Sequence, residues 1–449
     1  MKPSLPKGTR DFLPEAATKR QYLFATIASV FRKYGFAPIE TPALENLSTL
    51  TGKYGEEGDR LLFRVLNNGD FLSGADTDAL SRLDSQALAP SIAKRGMRYD
   101  LTVPFARFVV MHQNELPFPF KRYQIQPVWR ADRPQKGRYQ EFYLCDVDVV
   151  GSKSLLYEAE LVQIYDEVFA ALGLPVVIRF NHRKILTGIA ELCNIREHLT
   201  SMTTAIDKWD KIDESGVRLE MEKRGIPGLA IDQIISILSE ETLDGLAKTL
   251  QDSKMAMQGI DEVKQVMQFL HQTTLHNSCV FDVKLARGLD YYTGCIFEVA
   301  AVEADMGSLG GGGRYDDLTS VFGMPGMPGV GISFGAERIY DVMEAKNLFP
   351  STLTSAPQVL FIALSEEALT FAFAATTEVR RQNISADMYP EPTKLQKQMR
   401  YANQLKVPFV AIVGDDELRT KTVMLKNMES GEQKNVTLSE LVRSMGHRA

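Results

Sequence analysis

The sequence predicts a mixed helix-and-strand protein of several domains: a core of strands and helices, a helical insertion over 183–275, and a small α/β domain from 355 onward. Three observations predict it. The chain has 449 residues, which at about 150 residues per domain gives roughly three. Strand-like runs at 120–130, 141–150, 175–181, 278–286 and 294–303 bracket a stretch in which strand signals nearly vanish. After a Pro/Ser/Thr linker at 347–357 the pattern becomes strand, helix, strand, helix, strand, as in a small α/β domain with a largely parallel sheet.

Composition narrows the class further. Hydrophobic residues make up 44% and charged residues 24%, ordinary values for packed cores, which argues against disordered, collagen-like and repeat-only chains. No run of 18 apolar residues is present, so no membrane span is expected. The first ten residues lack the apolar stretch of a signal peptide, so the expected location is the cytoplasm. Four cysteines without a CxxC pair (Cys145, Cys193, Cys279, Cys295) argue against zinc and a disulfide framework. The net charge, 51 − 57 = −6, gives no support to a bulk nucleic-acid binder. Locally the balance reverses: residues 121–141 carry six basic side chains (Lys121, Arg122, Arg130, Arg133, Lys136, Arg138) against two acidic ones (Asp132, Glu141). Residues 355–449 hold 12 basic and 11 acidic groups, or +1, against −7 for the rest.

Taken in order, residues 19–34 place apolar side chains at helical spacing and Gly35 stops that helix. Pro38 and Pro42 mark 36–44 as an edge or interface strand, and 67–97 reads as loops and polar turns. The run EFYLCDVDVV (141–150) is a strand with Cys145, Val147 and Val149 on one face and Leu144, Asp146 and Asp148 on the other. Acids sharing a face with a leucine point to a lined pocket. A helix over 155–172 and a strand at 175–181 lead into the insertion, whose segments GLAIDQIISILS and EVKQVMQFLHQ are amphipathic. The glycine cluster SLGGGGRYDDL (308–318) and a Pro/Gly loop running through a strand into a helix (324–343) close the core.

There is neither a P-loop nor a strand-turn-helix GxGxxG, so the usual nucleotide folds are absent. Four clusters carry the candidate chemistry, each with a plain structural alternative. In Arg98-Tyr-Asp100-Leu-Thr102, read as a strand, Asp100 and Thr102 share one face and could grip an ammonium ion; the alternative is a strand-edge salt bridge. Around the loop ADRPQKGRYQ (131–140), Arg130 and Arg138 offer planar forks suited to phosphate or carboxylate, and Phe142 offers a ring for a base. The alternative there is a basic surface hairpin. The run Lys284-Leu-Ala-Arg287-Gly-Leu-Asp290-Tyr291-Tyr292-Thr-Gly294 holds polar groups that are costly to bury unpaired, or else surface tyrosines. Last, Arg338 sits in the first turn of a helix after Gly335, against the helix dipole, an arrangement that calls for an anion opposite.

In this order the clusters resemble class II aminoacyl-tRNA synthetases, and among them the histidyl-tRNA synthetases. The segments PKGTRDFLP (6–14), RYDLTVPFAR (98–107), RPQKGRYQEF (133–142), LARGLDYYTG (285–294), GGGRYDDL (311–318) and GAERI (335–339) carry the resemblance, which spans essentially the whole chain. RYDLT is similar to the form in eukaryotic-type members. The resemblance implies an α+β fold: a class II antiparallel sheet flanked by helices, with its catalytic core at 1–182 and 276–346. It implies a helical insertion at 183–275, an α/β anticodon-binding domain at 355–449, and a homodimer formed near residues 20–45. It also implies a reaction, histidine plus ATP giving histidyl-adenylate and pyrophosphate, followed by transfer of histidine to the 3′ end of its tRNA. Arg130 and Arg287 would be catalytic, straddling carboxylate and α-phosphate. Asp132, Arg138, Phe142 and Arg338, with Arg130, would bind ATP accompanied by Mg2+. Asp100, Leu101, Thr102, Arg130, Asp148, Arg287, Tyr291 and Tyr292 would bind histidine; no structural metal is implied. One position departs: Leu144 stands where the family usually has glutamine, a lost hydrogen bond of about 0.5–1.5 kcal/mol. The main alternative is a silent relative, the histidine-sensing regulatory subunit of ATP phosphoribosyltransferase. That class usually lacks the anticodon domain and the catalytic arginines, whereas this chain has the C-terminal domain together with Arg130, Arg287 and Arg338.

Overall fold

The computed structural model describes residues 2–51, 60–135, 137–240, 242–286, 292–304 and 306–446. The chain divides into two compact units, Met1–Phe12 with Lys19–Phe349, and Leu13–Thr18 with Pro350–Ala449. In the first, strands β1 (Ala37–Pro38), β2 (Leu44–Asn46), β3 (Arg64–Val65) and β4 (Arg95–Met97) are short. Longer ones follow: β5 (Phe120–Trp129), β6 (Glu141–Val150), β7 (Val176–His182), β8 (Ser278–Phe281), β9 (Cys295–Ala301), β10 (Gly310–Tyr315) and β11 (Gly329–Gly335). Eight of them form one sheet in the order β1-β5-β6-β11-β10-β9-β7-β8. It is antiparallel except at its edges, where β1 pairs parallel with β5 and β8 with β7. The expected antiparallel sheet flanked by helices is what forms.

One face of the sheet is apolar and covered by helices. Cys145, Val147 and Val149 of β6 and Val330, Ile332 and Phe334 of β11 lie on it, all buried. The helix Leu156–Ala171 packs there through Tyr165 and Phe169, whose rings sit 4.7 and 5.7 Å from that of Phe334. Phe31 joins them at 5.7 Å from the helix Pro14–Lys33. That helix opens on proline, whose missing N–H costs nothing in a first turn. It buries Leu23, Ile27, Val30 and Phe31 at helical spacing and ends on Arg32 and Lys33, favourable beside the last carbonyls.

Under the same face Arg314 of β10 and Glu158 form a buried two-pronged ion pair, Nε–Oε1 2.5 Å and Nη2–Oε2 2.8 Å. Burial alone would lower the Arg314 pKa, but the Glu158 carboxylate outweighs it and leaves it raised.

Several local expectations change. Residues 98–101 are not a strand; the backbone turns into the helix Thr102–Met111. The cause is packing: Val103, Phe105, Ala106 and Val109 are buried at helical spacing, and Pro104 sits where its missing N–H is tolerated. Within 67–97 the chain forms two short helices, Thr77–Ser81 and Ser85–Ile92, and β4. Asp76 and Asp84 cap these helices by accepting backbone N–H bonds. The glycine cluster contains a strand, β10. After β7 the chain runs through helices from Arg183 to Leu270 before returning at β8.

The second unit holds β12 (Val359–Ala363), β13 (Ala386–Met388), β14 (Phe409–Val413), β15 (Val423–Asn427) and β16 (Gln433–Val436), in the order β13-β12-β14-β15-β16. Its sheet is not largely parallel. β12 pairs parallel with β13 and β14, but β14–β15 and β15–β16 are antiparallel. Lys421, at φ 55°, reverses the chain after the helix Asp415–Thr420, and the turn holding Gly431 closes a hairpin. The helix Glu366–Arg381 covers one face through Ala368, Ala372, Ala375 and Val379.

Replacing Glu158 with alanine takes the two-pronged partner from buried Arg314 and leaves it the Asp316 carboxylate at 3.6 Å and the Ser152 and Ser154 carbonyls. We expect a loss of about 3–5 kcal/mol in urea unfolding, and a smaller loss for the double replacement Glu158→Leu/Arg314→Met. A double variant no more stable than the single one would contradict this account.

Candidate active site

The polar face of the sheet follows from strand register; the helix Thr102–Met111 packs on its β5–β6 end through Phe105. Asp148 lies opposite Arg122 of β5 and Gly331 of β11, Asp146 opposite Gln124 and Ser333, and Leu144 opposite Gln126 and Gly335. Gly313 and Gly311 of β10 continue two of these rows. This face therefore carries acids and an arginine on one side and glycines on the other. Among the described residues, a Cβ on Gly311 would meet the Phe297 carbonyl, at 3.3 Å, and one on Gly335 that of Leu309, at 3.4 Å, and no side chain within 4 Å, so they form an open floor.

Asp148 does not stand alone. Arg122, without exposed surface, lies 2.7 Å from Asp148 Oδ2, and the Tyr315 hydroxyl donates to Oδ1 at 2.6 Å. A Cβ on Gly331 would fall 1.9 Å from Oδ1, so only glycine lets this carboxylate lean across the sheet. The Tyr292 ring lies over Gly313, where a Cβ would come within 2.8 Å of it. Tyr292 and Asp148 thus address the same stretch of floor. Burial pushes Asp146 up to about 7; Asp148 and Asp100 add to that, and Arg122 and the nearby Ser333 hydroxyl offset it only in part. Asp146 Oδ1 is buried without a hydrogen-bond partner. Burial also raises Asp148, against the pull of Arg122 and Tyr315.

At the other end, Arg130 closes the base of the hairpin: its N–H donates to the Gln140 carbonyl at 2.9 Å. Its guanidinium Nε donates to the Tyr99 carbonyl at 2.9 Å and lies 5.1 Å from the Phe142 ring. The loop 98–101 that supplies this carbonyl is fixed by Arg98, which is 1% exposed and donates to the carbonyls of Pro127 (2.9 Å) and Thr41 (2.5 Å). Asp100, buried, accepts from the Val103 N–H at 3.3 Å, and Thr102 opens the helix. Asp100 and Thr102 therefore do not share a strand face; they meet at a helix start. Leu101 has no exposed surface and packs with Val128, Leu144 and Phe142. Leu144 is thus an apolar prop behind Phe142.

Asp132 and Arg138 lie on the hairpin between β5 and β6. The Asp132 carbonyl accepts from Gln140 Nε2 at 3.0 Å, and Arg138, exposed, bridges Gln135 through its backbone. Arg338 donates to the carbonyls of Gly137 (2.9 Å) and Ser308 (2.8 Å), which answers the dipole conflict at its helix start with carbonyl oxygens. Its neighbour Glu337 pairs with Arg20 at 2.8 Å and accepts from the Tyr143 N–H at 2.9 Å. Arg287 and Tyr291 lie outside the described residues. The structure brings Arg130 to Phe142 and Tyr292 to the row of Asp148. It does not present 121–141 as one basic surface: Arg122 is fully buried against Asp148. Arg122, Asp146 and Tyr315 were given no site role from sequence. Their signal was the pairing of alternate residues in KRYQ against DVD, readable once the two strands are known to be antiparallel neighbours.

Sheet and site together define the catalytic core of a class II aminoacyl-tRNA synthetase. Residues 8–339 match the family described as Histidyl-tRNA synthetase, and residues 358–446 match the one described as Anticodon binding domain. The histidine–tRNA ligase of Christiangramia forsetii is 52% identical over 448 residues, covering 98% of each chain. That of Bacteroides fragilis is 51% identical over 449 residues, covering 99% of each. The crystal structure of histidyl-tRNA synthetase from Nostoc sp. PCC 7120 superposes with a TM-score of 0.84 at 31% identity, covering 100% of both chains. A Bacillus halodurans protein described as an ATP phosphoribosyltransferase regulatory subunit/histidyl-tRNA synthetase shares the fold, at 18% identity and a TM-score of 0.73. The chain belongs to the histidyl-tRNA synthetase family.

The raised Asp146 yields a signed prediction. Its folded pKa near 7 exceeds the unfolded value of about 3.9, so between pH 4 and 7 the native state binds the extra proton. Stability from this group falls as pH rises through that window. Asp146→Asn lacks the term: it is expected to melt above the parent at pH 8 and to lose that advantage on acidification to pH 4. Parallel melting-temperature curves for the two proteins would contradict the assignment.

Proposed function

We propose that Arg130 and Arg287 carry the charge stabilisation in the reaction of this family, and that the polar sheet face is where it takes place. The chain is an ATP-dependent aminoacyl-tRNA ligase. It joins L-histidine to ATP, giving histidyl-adenylate and pyrophosphate, and then transfers histidine to the 3′ end of tRNA. The observation that carries the residue assignment is one strand face: Arg130 and Phe142 lie at one end of the β5–β6 pair, Asp148 with Tyr292 over Gly313 at the other, and Gly311 and Gly335 are on the same face.

Attack of the histidine carboxylate on the α-phosphate needs no protein nucleophile. It needs the two anions held in line and the growing negative charge met by fixed cations. Arg130, steered by the Tyr99 carbonyl, fills that role from the residue after β5, and Arg287 is the second cation of the pair. Phe142 stacks the adenine, with Leu101, Val128 and Leu144 filling the space behind the ring. Asp132 stands by the adenine edge, and Arg138 and Arg338 hold the outer phosphates. For Arg338 this means exchanging its carbonyl partners for phosphate oxygens. Mg2+ accompanies the phosphates as part of the substrate, being a hard cation that favours oxygen ligands.

Histidine takes the other end. Asp100 and Thr102 meet its ammonium group beside the helix start, next to Leu101. A neutral imidazole has one donor and one acceptor; Asp148 accepts from the first and Tyr292 addresses the second, with Tyr291 shaping the wall. Because Arg122 and Tyr315 already anchor Asp148, the carboxylate is pre-oriented. Apolar amino acids would leave these buried groups unpaired and be rejected by roughly 10⁴-fold or more. Residues 355–449 read unpaired anticodon bases. We further propose a cytoplasmic homodimer joined near residues 20–45. No helix among the described residues is long and apolar enough to cross a membrane.

ATP–pyrophosphate exchange with each standard amino acid in turn tests this reading: exchange with histidine alone is expected. Arg130→Ala and Arg287→Ala should each cut it by about 10²–10³-fold at an unchanged melting temperature. Exchange retained in either variant removes that arginine from its role. Charging of tRNA should weaken steeply between 50 and 200 mM salt, and a flat salt profile would rule out a phosphate-led tRNA interface.

A further inference from the structure

The segment before the first long helix reaches the hairpin that carries Asp132 and Arg138. The Gln140 N–H donates to the Gly8 carbonyl at 2.8 Å. Gly8 holds φ +80°, and a Cβ there would lie 2.7 Å from Gln140 Cγ and 3.1 Å from the Gln140 nitrogen. Only glycine lets the two backbones meet this closely. Two residues on, Arg10 Nη1 donates to the Tyr139 hydroxyl at 2.9 Å and to Asp341 Oδ1 at 3.1 Å. The guanidinium carbon of Arg10 lies 3.6 Å from the centre of the Tyr139 ring. Tyr139 in turn donates to Asp341 Oδ2 at 2.8 Å, so the three side chains close a triangle.

Asp341 belongs to the helix Ala336–Ala345, three residues after Arg338, and so on the same helix face. Arg338 grips the hairpin from that face through the Gly137 carbonyl. Residues 137, 139 and 140 are therefore each held, one by Arg338, one by Arg10 with Asp341, and one by Gly8. Within the hairpin the described contacts are the bridge between Gln135 and Arg138 and the bonds of Gln140 to Asp132 and Arg130, and these outside contacts add to its order. Burial and the Asp341 carboxylate push Tyr139 up to about 12, which keeps its hydroxyl a donor across the working pH range.

We propose that Arg10 is a positioning residue for ATP binding: acting through Tyr139 and Asp341, it holds the hairpin in the conformation that presents Asp132 and Arg138 to the nucleotide. This rests on the assignment of that hairpin to ATP made above. A loop already ordered gives up less conformational freedom when its ligand arrives. Loss of the clamp should therefore appear in ATP affinity and leave histidine affinity alone.

The test uses the full-length protein and compares Arg10→Gln, Tyr139→Phe and the double variant. It reads KM for ATP and for histidine in pyrophosphate exchange, ATP affinity by calorimetry, and the melting temperature. Arg10→Gln is expected to raise the KM for ATP about tenfold, the effect of losing charge-assisted hydrogen bonds, and to keep the KM for histidine within twofold. Tyr139→Phe should raise it less, because the ring remains beneath the guanidinium. The double variant should fall short of the product of the two single effects, since both break one triangle. An ATP KM within twofold of the parent in Arg10→Gln would overturn the proposal. So would a parallel rise in both KM values with a fallen melting temperature, the mark of a merely structural residue. Absence of histidine-dependent exchange in the parent would instead overturn the activity assignment; calorimetry with ATP would still decide the role of Arg10, an undiminished affinity in Arg10→Gln refuting it.

Discussion

The ion pair between Arg122 and Asp148 sets the terms for the rest of the catalytic unit. Both partners are buried, 2.7 Å apart on neighbouring strands, and two charges taken out of water are tolerable only when geometry and further hydrogen bonds are good. Tyr315 supplies one such bond. The strand between them and Tyr315 must then be bare where they meet it: Gly331 cannot carry a Cβ without striking Asp148, nor Gly329 without striking the Tyr315 ring. The glycines that look wasteful in a strand are what this polar face requires. They also leave the open floor on which a substrate can lie.

The second constraint is that the sheet has two unlike faces. Phe334 and its neighbours fill the apolar side against Tyr165, Phe169 and Phe31. The other face is polar, and the helix Thr102–Met111 packs on it at the β5–β6 end, with Phe105 4.2 Å from the Arg122 guanidinium. Buried charges on β5, β6 and β10 lie on that polar face, as Arg122, Asp146 and Asp148 do, or find a buried partner, as Arg314 found Glu158. Catalysis by positioning suits such a scaffold, because side chains fixed to long strands move little. The hairpin between β5 and β6 is the part furthest from that rigidity, and it is held by arginines from outside it: Arg338 and Arg10 directly, and Arg20 through Glu337 at the root of β6.

Much of this was legible in the chain. The alternation in EFYLCDVDVV placed Asp146 and Asp148 on one face, and the structure keeps them there. The loss of strand signals after 182 matches the run of helices from Arg183 to Leu270. Other parts were not legible. RYDLT carries alternation that mimics a strand, yet its apolar residues are spaced for a helix against the core, and packing decided the matter. In the second unit β15 runs antiparallel to β14 after a lysine, Lys421, adopts a left-handed turn, which local propensity does not announce.

The sequence by itself determined the inventory: which residue types occur, at what spacing, and hence the resemblance, the division into elements and the candidate arginines and acids. Periodicity is a local property, and local properties can be read along one dimension. Which acid meets which arginine was decided by the tertiary structure alone. Arg122 reads as one more member of a basic run until strand register sets it against Asp148, 26 positions away. Arg10 reads as a charge near the start of the chain until folding brings it to Tyr139 and Asp341. Pairing depends on register and on distance through space, and neither is encoded in the neighbours of a residue along the chain.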